Sequence, residues 1–281
     1  MGSPQGAPGP APAAGAAFRE GHVEADGFRV RYREAGDGPP LVHLHGAGGL
    51  HLTPAHDRLS RRFRVIAFEM PGFGGSPENA RTADAREMAT TMAAAIAGLG
   101  LGAVNLLGTS IGAKVALWLA LQGPERVAAL VLEGPSGIRP EGTAPGSGSA
   151  TPPSREELAP RLHAHPEGLD AIALPDPATW ARTWPLVQRL RGPDRDADFE
   201  SRLPALATPT LVLFGTRDGI VPSEMGRRYK ELLPNSHLVL VYDAAHAIAA
   251  DRPAAFTEVV EDFLERHEAF IISRANTVIY P

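Results

Sequence analysis

The residues best suited to covalent chemistry lie in Gly108-Thr109-Ser110-Ile111-Gly112, between an apolar run and an Ala-rich segment. A serine in this pattern sits on a sharp strand-to-helix turn, with its hydroxyl exposed at the carboxyl edge of a sheet. The turn is strained, so its neighbours must be small, and glycines flank it. The N-terminus of the helix that follows favours a developing negative charge. The bare pentapeptide also describes a glycine-rich turn with a helix-capping serine. The strand pattern before it and the helix pattern after it favour the nucleophile.

A serine hydroxyl is inert without a base, and the base needs a group to orient it. His246, in Asp243-Ala244-Ala245-His246, follows one apolar run. Asp218, in Gly215-Thr216-Arg217-Asp218, follows another. A lone histidine or aspartate in a loop is usually a surface or capping residue. Here Ser110, Asp218 and His246 each fall just past a strand, in one order along one sheet, and that joint placement carries the argument. His45-Gly46-Ala47-Gly48-Gly49 follows a fourth apolar run. Small residues there let backbone N–H groups approach a substrate. The N–H groups of Ala47 and Ile111 are the expected oxyanion donors.

The elements that must position these residues alternate along the chain. The apolar–basic alternation at 28–33 and short apolar runs at 41–44, 65–68, 104–107, 127–132, 210–214 and 237–242 predict strands. Stretches 83–99, 112–121, 225–233 and 253–268 predict helices. This alternation predicts an α/β fold: a mainly parallel sheet flanked by helices. Residues 18–133 and 204–269 form its core. Residues 134–203 interrupt it and read as an inserted helical cap, with helices near 155–164 and 177–190. Residues 1–17, nearly all Gly, Ala and Pro beyond the start, read as a disordered leader. Residues 139–154 read as a mobile loop opening the cap, and the tail at 270–281 has no assigned role.

On these motifs the chain resembles the α/β-hydrolase superfamily. It is most similar to the capped branch that holds esterases, lactonases, carbon–carbon bond hydrolases and metal-free haloperoxidases. Glu69-Met70-Pro71-Gly72-Phe73-Gly74-Gly75-Ser76 resembles the family's Asp-x-Pro-Gly-Phe-Gly-x-Ser turn, with Glu in place of Asp. Asp243-Ala244-Ala245 stands where the family usually has a glycine-containing turn before its histidine. The resemblance implies that Ser110 attacks a carbonyl, His246 shuttles the proton, and Asp218 orients His246. Glu133, after the strand at 127–132, stands where some relatives carry the acid and is the alternative to Asp218. Serine at the elbow argues against the Asp-dependent dehalogenases and epoxide hydrolases. The resemblance implies no metal or organic cofactor. It implies hydrolysis of an ester or lactone, with carbon–carbon cleavage of a diketone or non-catalytic ligand binding as alternatives.

Composition narrows the field further. The chain has 281 residues, 43% hydrophobic and 21% charged, with a formal net charge of −5. Both signs are interspersed, so nothing marks a nucleic-acid or acidic-membrane partner, and the expected partner is a small molecule. The chain has no cysteine, which excludes disulfides and thiolate chemistry. No apolar run is long enough to span a bilayer. The start lacks a basic, apolar signal pattern. A cytoplasmic location is expected. Trp180, Trp184, Leu186, Leu190, His163 and His165 are the candidate substrate-facing residues of the cap, with core packing favoured for the tryptophans. No carboxylate spacing supports a metal on the two histidines.

Overall fold

The computed structural model describes residues 13–138, 151–168, 174–193 and 196–267. The leader's first twelve residues, most of the loop opening the insertion, and the tail lie outside them. The described strands are β1 (Arg19–Ala25), β2 (Phe28–Ala35), β3 (Pro40–Leu44), β4 (Arg64–Glu69), β5 (Val104–Thr109), β6 (Val127–Glu133), β7 (Thr210–Gly215) and β8 (Ser236–Val241). The α-helices are α1 (Pro54–Leu59), α2 (Ala85–Gly98), α3 (Ile111–Gln122), α4 (Arg155–Leu162), α5 (Pro177–Arg191), α6 (Ala197–Arg202), α7 (Met225–Leu232), α8 (Ile248–Asp251) and α9 (Pro253–Arg266).

The strands form one sheet in the order β1-β2-β4-β3-β5-β6-β7-β8. The β1–β2 and β2–β4 pairs are antiparallel, and every pair from β4 onward is parallel. This is the α/β architecture that the strand–helix alternation predicts. Its central strands are apolar on both faces, as a covered parallel sheet requires. Val65 and Ala67 face one core while Ile66 and Phe68 face the other; Leu211 and Leu213 alternate with Val212 and Phe214 in the same way. Helices α2, α3 and α7 cover the first core, and α1, α8 and α9 the second. β1 is not foreseen by the apolar pattern, because most of Arg-Glu-Gly-His-Val-Glu-Ala is exposed at the sheet edge.

β3 has β4 on one side and β5 on the other, so the chain reverses direction of travel across the sheet there. A crevice opens at the carboxyl ends of strands at such a switch point. The loop after β3 carries Ala47, and the turn after β5 carries Ser110. Further along the same edge, Glu133 ends β6, Asp218 follows β7 and His246 follows β8.

α3 runs under this edge and is apolar nearly all round. Its residues 111–120 are all buried, including Lys114. A helix with that profile belongs inside the molecule, and α3 packs against the sheet, α2 and α5. α4, α5 and α6 all fall between β6 and β7, in the stretch read as an insertion. Within residues 1–17, the described end forms a turn: Gly15 N–H donates to the Asp57 carboxylate at 3.0 Å.

Candidate active site

Ser110 is a buried non-glycine residue with φ +56° and ψ −115°. That left-handed backbone is strained for a serine, and the surrounding hydrogen bonds hold it. Ser110 N–H donates to Glu133 O at 2.9 Å, and Ser110 O accepts from Ala113 N at 3.1 Å and Ser136 N at 3.2 Å. The elbow also needs close approach from below. A Cβ on Gly112 would stand 2.2 Å from Leu44 O and 2.4 Å from His45 O. Only glycine lets the first turn of α3 press onto the end of β3. Ile111 is the first residue of α3, so its N–H has no partner within the helix.

His246 Nδ1 donates to Asp218 Oδ2 at 2.8 Å, with side-chain exposures of 5% and 0%. Because the carboxylate accepts at Nδ1, the other ring nitrogen, Nε2, is left for the reacting proton. Asp218 Oδ1 accepts the N–H groups of Ile220 and Val221 at 2.8 and 2.9 Å, which locks the carboxylate into its own turn. Gly134 packs beneath the pair: its Cβ would lie 2.9 Å from His246 Cε1 and 3.4 Å from Asp218 Oδ2.

Glu133 is committed elsewhere. Its Oε2 accepts the Thr109 hydroxyl at 2.7 Å, and its Oε1 accepts Ala249 N–H at 2.7 Å. Burial pushes its carboxyl pKa up, and the two hydrogen bonds oppose that shift. The carboxylate bonded to His246 is therefore that of Asp218.

The structure adds a buried polar chain that the sequence does not reveal. Thr53 N–H donates to His56 Nδ1 at 3.0 Å, so His56 Nε2 carries the hydrogen and donates to His43 Nδ1 at 3.0 Å. His43 Nε2 in turn donates to Thr109 Oγ1 at 3.1 Å, and Thr109 donates to Glu133. Every donor has one acceptor and the chain runs one way, from α1 beneath β3 to the elbow. Burial holds His43 well below the usual histidine range and lowers His56 to about 4, so both rings are neutral.

His45 is built into the loop after β3. Its Nδ1 donates to Gly46 O at 2.7 Å and its Nε2 accepts Met70 N–H at 3.0 Å. Burial lowers its pKa to about 4, which keeps the accepting nitrogen free of a proton. The loop presenting Ala47 is thus pinned to the start of the Met70–Ser76 turn. In that turn Glu69 takes a salt bridge from Arg31 at 2.9 Å and a hydrogen bond from Ser76 at 3.2 Å. A glutamate is therefore accommodated where the resembled family has aspartate.

Ser110, His246, Asp218, Ala47 and Ile111 all line one cavity of about 1510 Å³. To the same cavity α4 and α5 contribute Leu158, Trp180, Trp184 and Val187. The two indoles meet edge to face at 5.0 Å, and Trp180 Nε1 donates to Pro153 O at 3.0 Å. His163 also reaches the cavity wall. Three of the six cap candidates do not. Leu186 and Leu190 are buried in the first core, and His165 is exposed and pairs with Asp243 at 2.8 Å. Helical spacing alone does not tell which face of α5 turns to the cavity. Among the described residues no group of three or more His, Cys, Asp or Glu could hold a metal ion. No described helix is long and apolar enough to cross a membrane.

A family model described as alpha/beta hydrolase fold matches residues 39–185, and one described as TAP-like protein matches residues 181–269. The chain is 31% identical over 243 residues to pimeloyl-[acyl-carrier protein] methyl ester esterase of Neisseria meningitidis, covering 80% of this chain and 92% of the relative. It is 29% identical over 280 residues to 2-hydroxy-6-oxononadienedioate/2-hydroxy-6-oxononatrienedioate hydrolase 2 of Pseudomonas putida, covering 89% and 95%. Among solved structures, a thermophilic esterase from Thermogutta terrifontis superposes with a TM-score of 0.69 at 26% identity, covering 89% of this chain and 99% of that one.

Proposed function

The chain belongs to the alpha/beta hydrolase fold family, and from that premise we propose that it cleaves a small ester or lactone through an acyl-enzyme on Ser110. The observation that carries this reading is the 2.8 Å His246–Asp218 hydrogen bond at the wall of the cavity that Ser110 faces.

Ser110 Oγ attacks the carbonyl carbon and passes its proton to His246 Nε2. Asp218 holds the ring in the required tautomer and stabilises the imidazolium that forms. The negative oxygen is received by the N–H groups of Ala47 and Ile111, with the N-terminus of α3 behind them. When the tetrahedral intermediate collapses, His246 returns the proton to the leaving oxygen. Water then attacks the acyl-enzyme, gives its proton to His246, and releases the acid. None of these steps requires a cofactor.

The segment 134–203 acts in this reading as a cap over the carboxyl edge. The aromatic and aliphatic residues of α4 and α5 at the cavity wall suit an apolar acyl or alcohol group of small to medium size. Similarity to the Pseudomonas putida hydrolase supports a second reading, in which the same three residues cleave a carbon–carbon bond of a diketone. The experiment is a panel of p-nitrophenyl esters, lactones and diketones, with Ser110→Ala as the blank. Ester or lactone turnover abolished in the blank supports the first reading. Turnover of diketones alone supports the second. A ligand-induced thermal shift without turnover of any class makes the chain a binding protein on a hydrolase fold.

A further inference from the structure

His246 sits in a loop whose two flanking N–H groups are both held, one by the last carbonyl of α4 and the other by Asp251 of α8. Ala247 N–H donates directly to Leu162 O at 2.9 Å. Ala245 N–H donates to Asp251 Oδ2 at 2.8 Å, and the same oxygen accepts Ala164 N–H at 2.9 Å. Asp251 Oδ1 accepts His163 Nδ1 at 2.9 Å, and both of these side chains are only 5% exposed. Asp251 is itself rigidly placed. It ends the one-turn helix α8, where its own N–H donates to Ala247 O at 2.9 Å. Residues 162–164, 245–247 and 251 thus close a ring of hydrogen bonds around the backbone of His246.

We propose that Asp251, with His163, is a positioning residue for the catalytic base. The pair straps the C-terminal end of α4 to the His246 loop, so the seat of α4 sets the seat of the imidazole. The proposal rests on His246 being the base of the reaction. Its physical content is simple. Leu162 O is a terminal helix carbonyl with no partner inside α4, and Ala247 N–H of the His246 loop gives it one. Asp251 takes three donors from two segments that are otherwise joined by the buried Leu162–Ala247 bond and the exposed His165–Asp243 pair. Without its carboxylate, two buried N–H groups lose their acceptor, and His246 is free to drift from Asp218 and Ser110. A misplacement of about 1 Å costs about a hundredfold in rate. His163 also lines the cavity, so a substrate that touches it presses on the same strap.

The test compares wild type with Asp251→Ala, Asp251→Asn and His163→Ala. A fluorophosphonate titration of Ser110, run to completion, counts the competent sites. The values of kcat per titrated site and KM are then measured with p-nitrophenyl butyrate. Asp251→Ala is expected to lower kcat per site by between about tenfold and a hundredfold, with KM within about threefold of wild type. Asp251→Asn is expected to recover most of the loss, because its carbonyl oxygen can still receive Ala164 and Ala245. His163→Ala is expected to cost severalfold in kcat per site, and it carries the test alone if Asp251→Ala does not fold. An unchanged kcat per site, with loss only in the number of competent sites or in Tm, overturns the strap. So does an asparagine variant as slow as the alanine one. Turnover that survives in Ser110→Ala or His246→Ala instead overturns the hydrolytic reading on which the strap rests.

Discussion

Asp218 receives the Nδ1 hydrogen of His246 at 2.8 Å while its own side chain has no exposed surface. Glu133, which ends β6 at the same sheet edge, gives its two oxygens to Thr109 and Ala249 instead. Asp218→Asn should therefore present the wrong hydrogen-bonding group to Nδ1 and lower kcat by about ten-thousandfold. Glu133→Gln should leave most of the activity. Steady-state kinetics of the two variants on one p-nitrophenyl ester decide the matter. Equal losses would contradict the assignment.

Glu133→Gln should be felt in stability. An amide can accept from Thr109 or from Ala249 but not from both, so one buried donor is left unpaired. The cost is about 1–3 kcal/mol. Urea unfolding should show a lower midpoint with an unchanged slope.

The buried histidines set a pH dependence for the fold. His45 and His56 fall from 6.5 to about 4 on burial, and His43 falls in the same direction. Below pH 6.5 the unfolded chain binds protons that the native rings refuse. Stability is therefore complete above 6.5 and is lost as the pH falls towards 4, at about 1.4 kcal/mol per pH unit for each ring. Glu133 works in the opposite sense, because its raised pKa lets the native state take up a proton first. The three rings outnumber it. Thermal melts from pH 7 to 4 should show a falling Tm, and His56→Gln should make that fall shallower. A flat profile would contradict neutral, buried rings.

Gly112→Ala should disable the elbow. The added methyl would lie 2.2 Å from Leu44 O, a backbone atom of a central strand that cannot swing aside. Overpacking of this kind costs about 1–3 kcal/mol. It also lifts the first turn of α3, and with it the Ile111 N–H, away from the end of β3. Activity should fall by more than the loss of folded protein, as judged by kcat on the soluble fraction.

Trp184→Ala should change selectivity. The indole lines the same cavity as Ser110, so its removal opens space on the α5 side. KM for p-nitrophenyl butyrate should rise by about tenfold, equivalent to ~1.4 kcal/mol, while bulky aryl esters gain. Unchanged selectivity across acyl lengths would place Trp184 outside the substrate's reach.

The parts of this molecule that can be read from sequence are those set by local pattern. Val104–Thr109 running into Ile111–Gln122 announces the elbow because a strand and a helix leave different apolar periods. Asp218 and His246 are legible for the same reason, each lying just past an apolar run. The strand Arg19–Ala25 is not, because an edge strand with mostly exposed side chains has no apolar run to betray it. The chain from His56 through His43 to Thr109 is not legible either. Its members lie on three elements, and only the parallel pairing of β3 with β5 brings His43 to Thr109. Leu186 and Trp184 sit two positions apart on α5, yet one faces the core and the other the cavity. That choice depends on how the helix is seated, which spacing does not encode. His163 reaches Asp251 across 88 positions of sequence, so the strap emerges only once the fold is in place.

The most direct test of the central claim is the site of covalent capture. Wild type, Ser110→Ala and His246→Ala are incubated with a fluorophosphonate and mapped by peptide mass spectrometry. The account predicts one adduct, on Ser110, absent in Ser110→Ala and formed far more slowly in His246→Ala. An adduct on another residue, or labelling of Ser110 at the wild-type rate without His246, would contradict it.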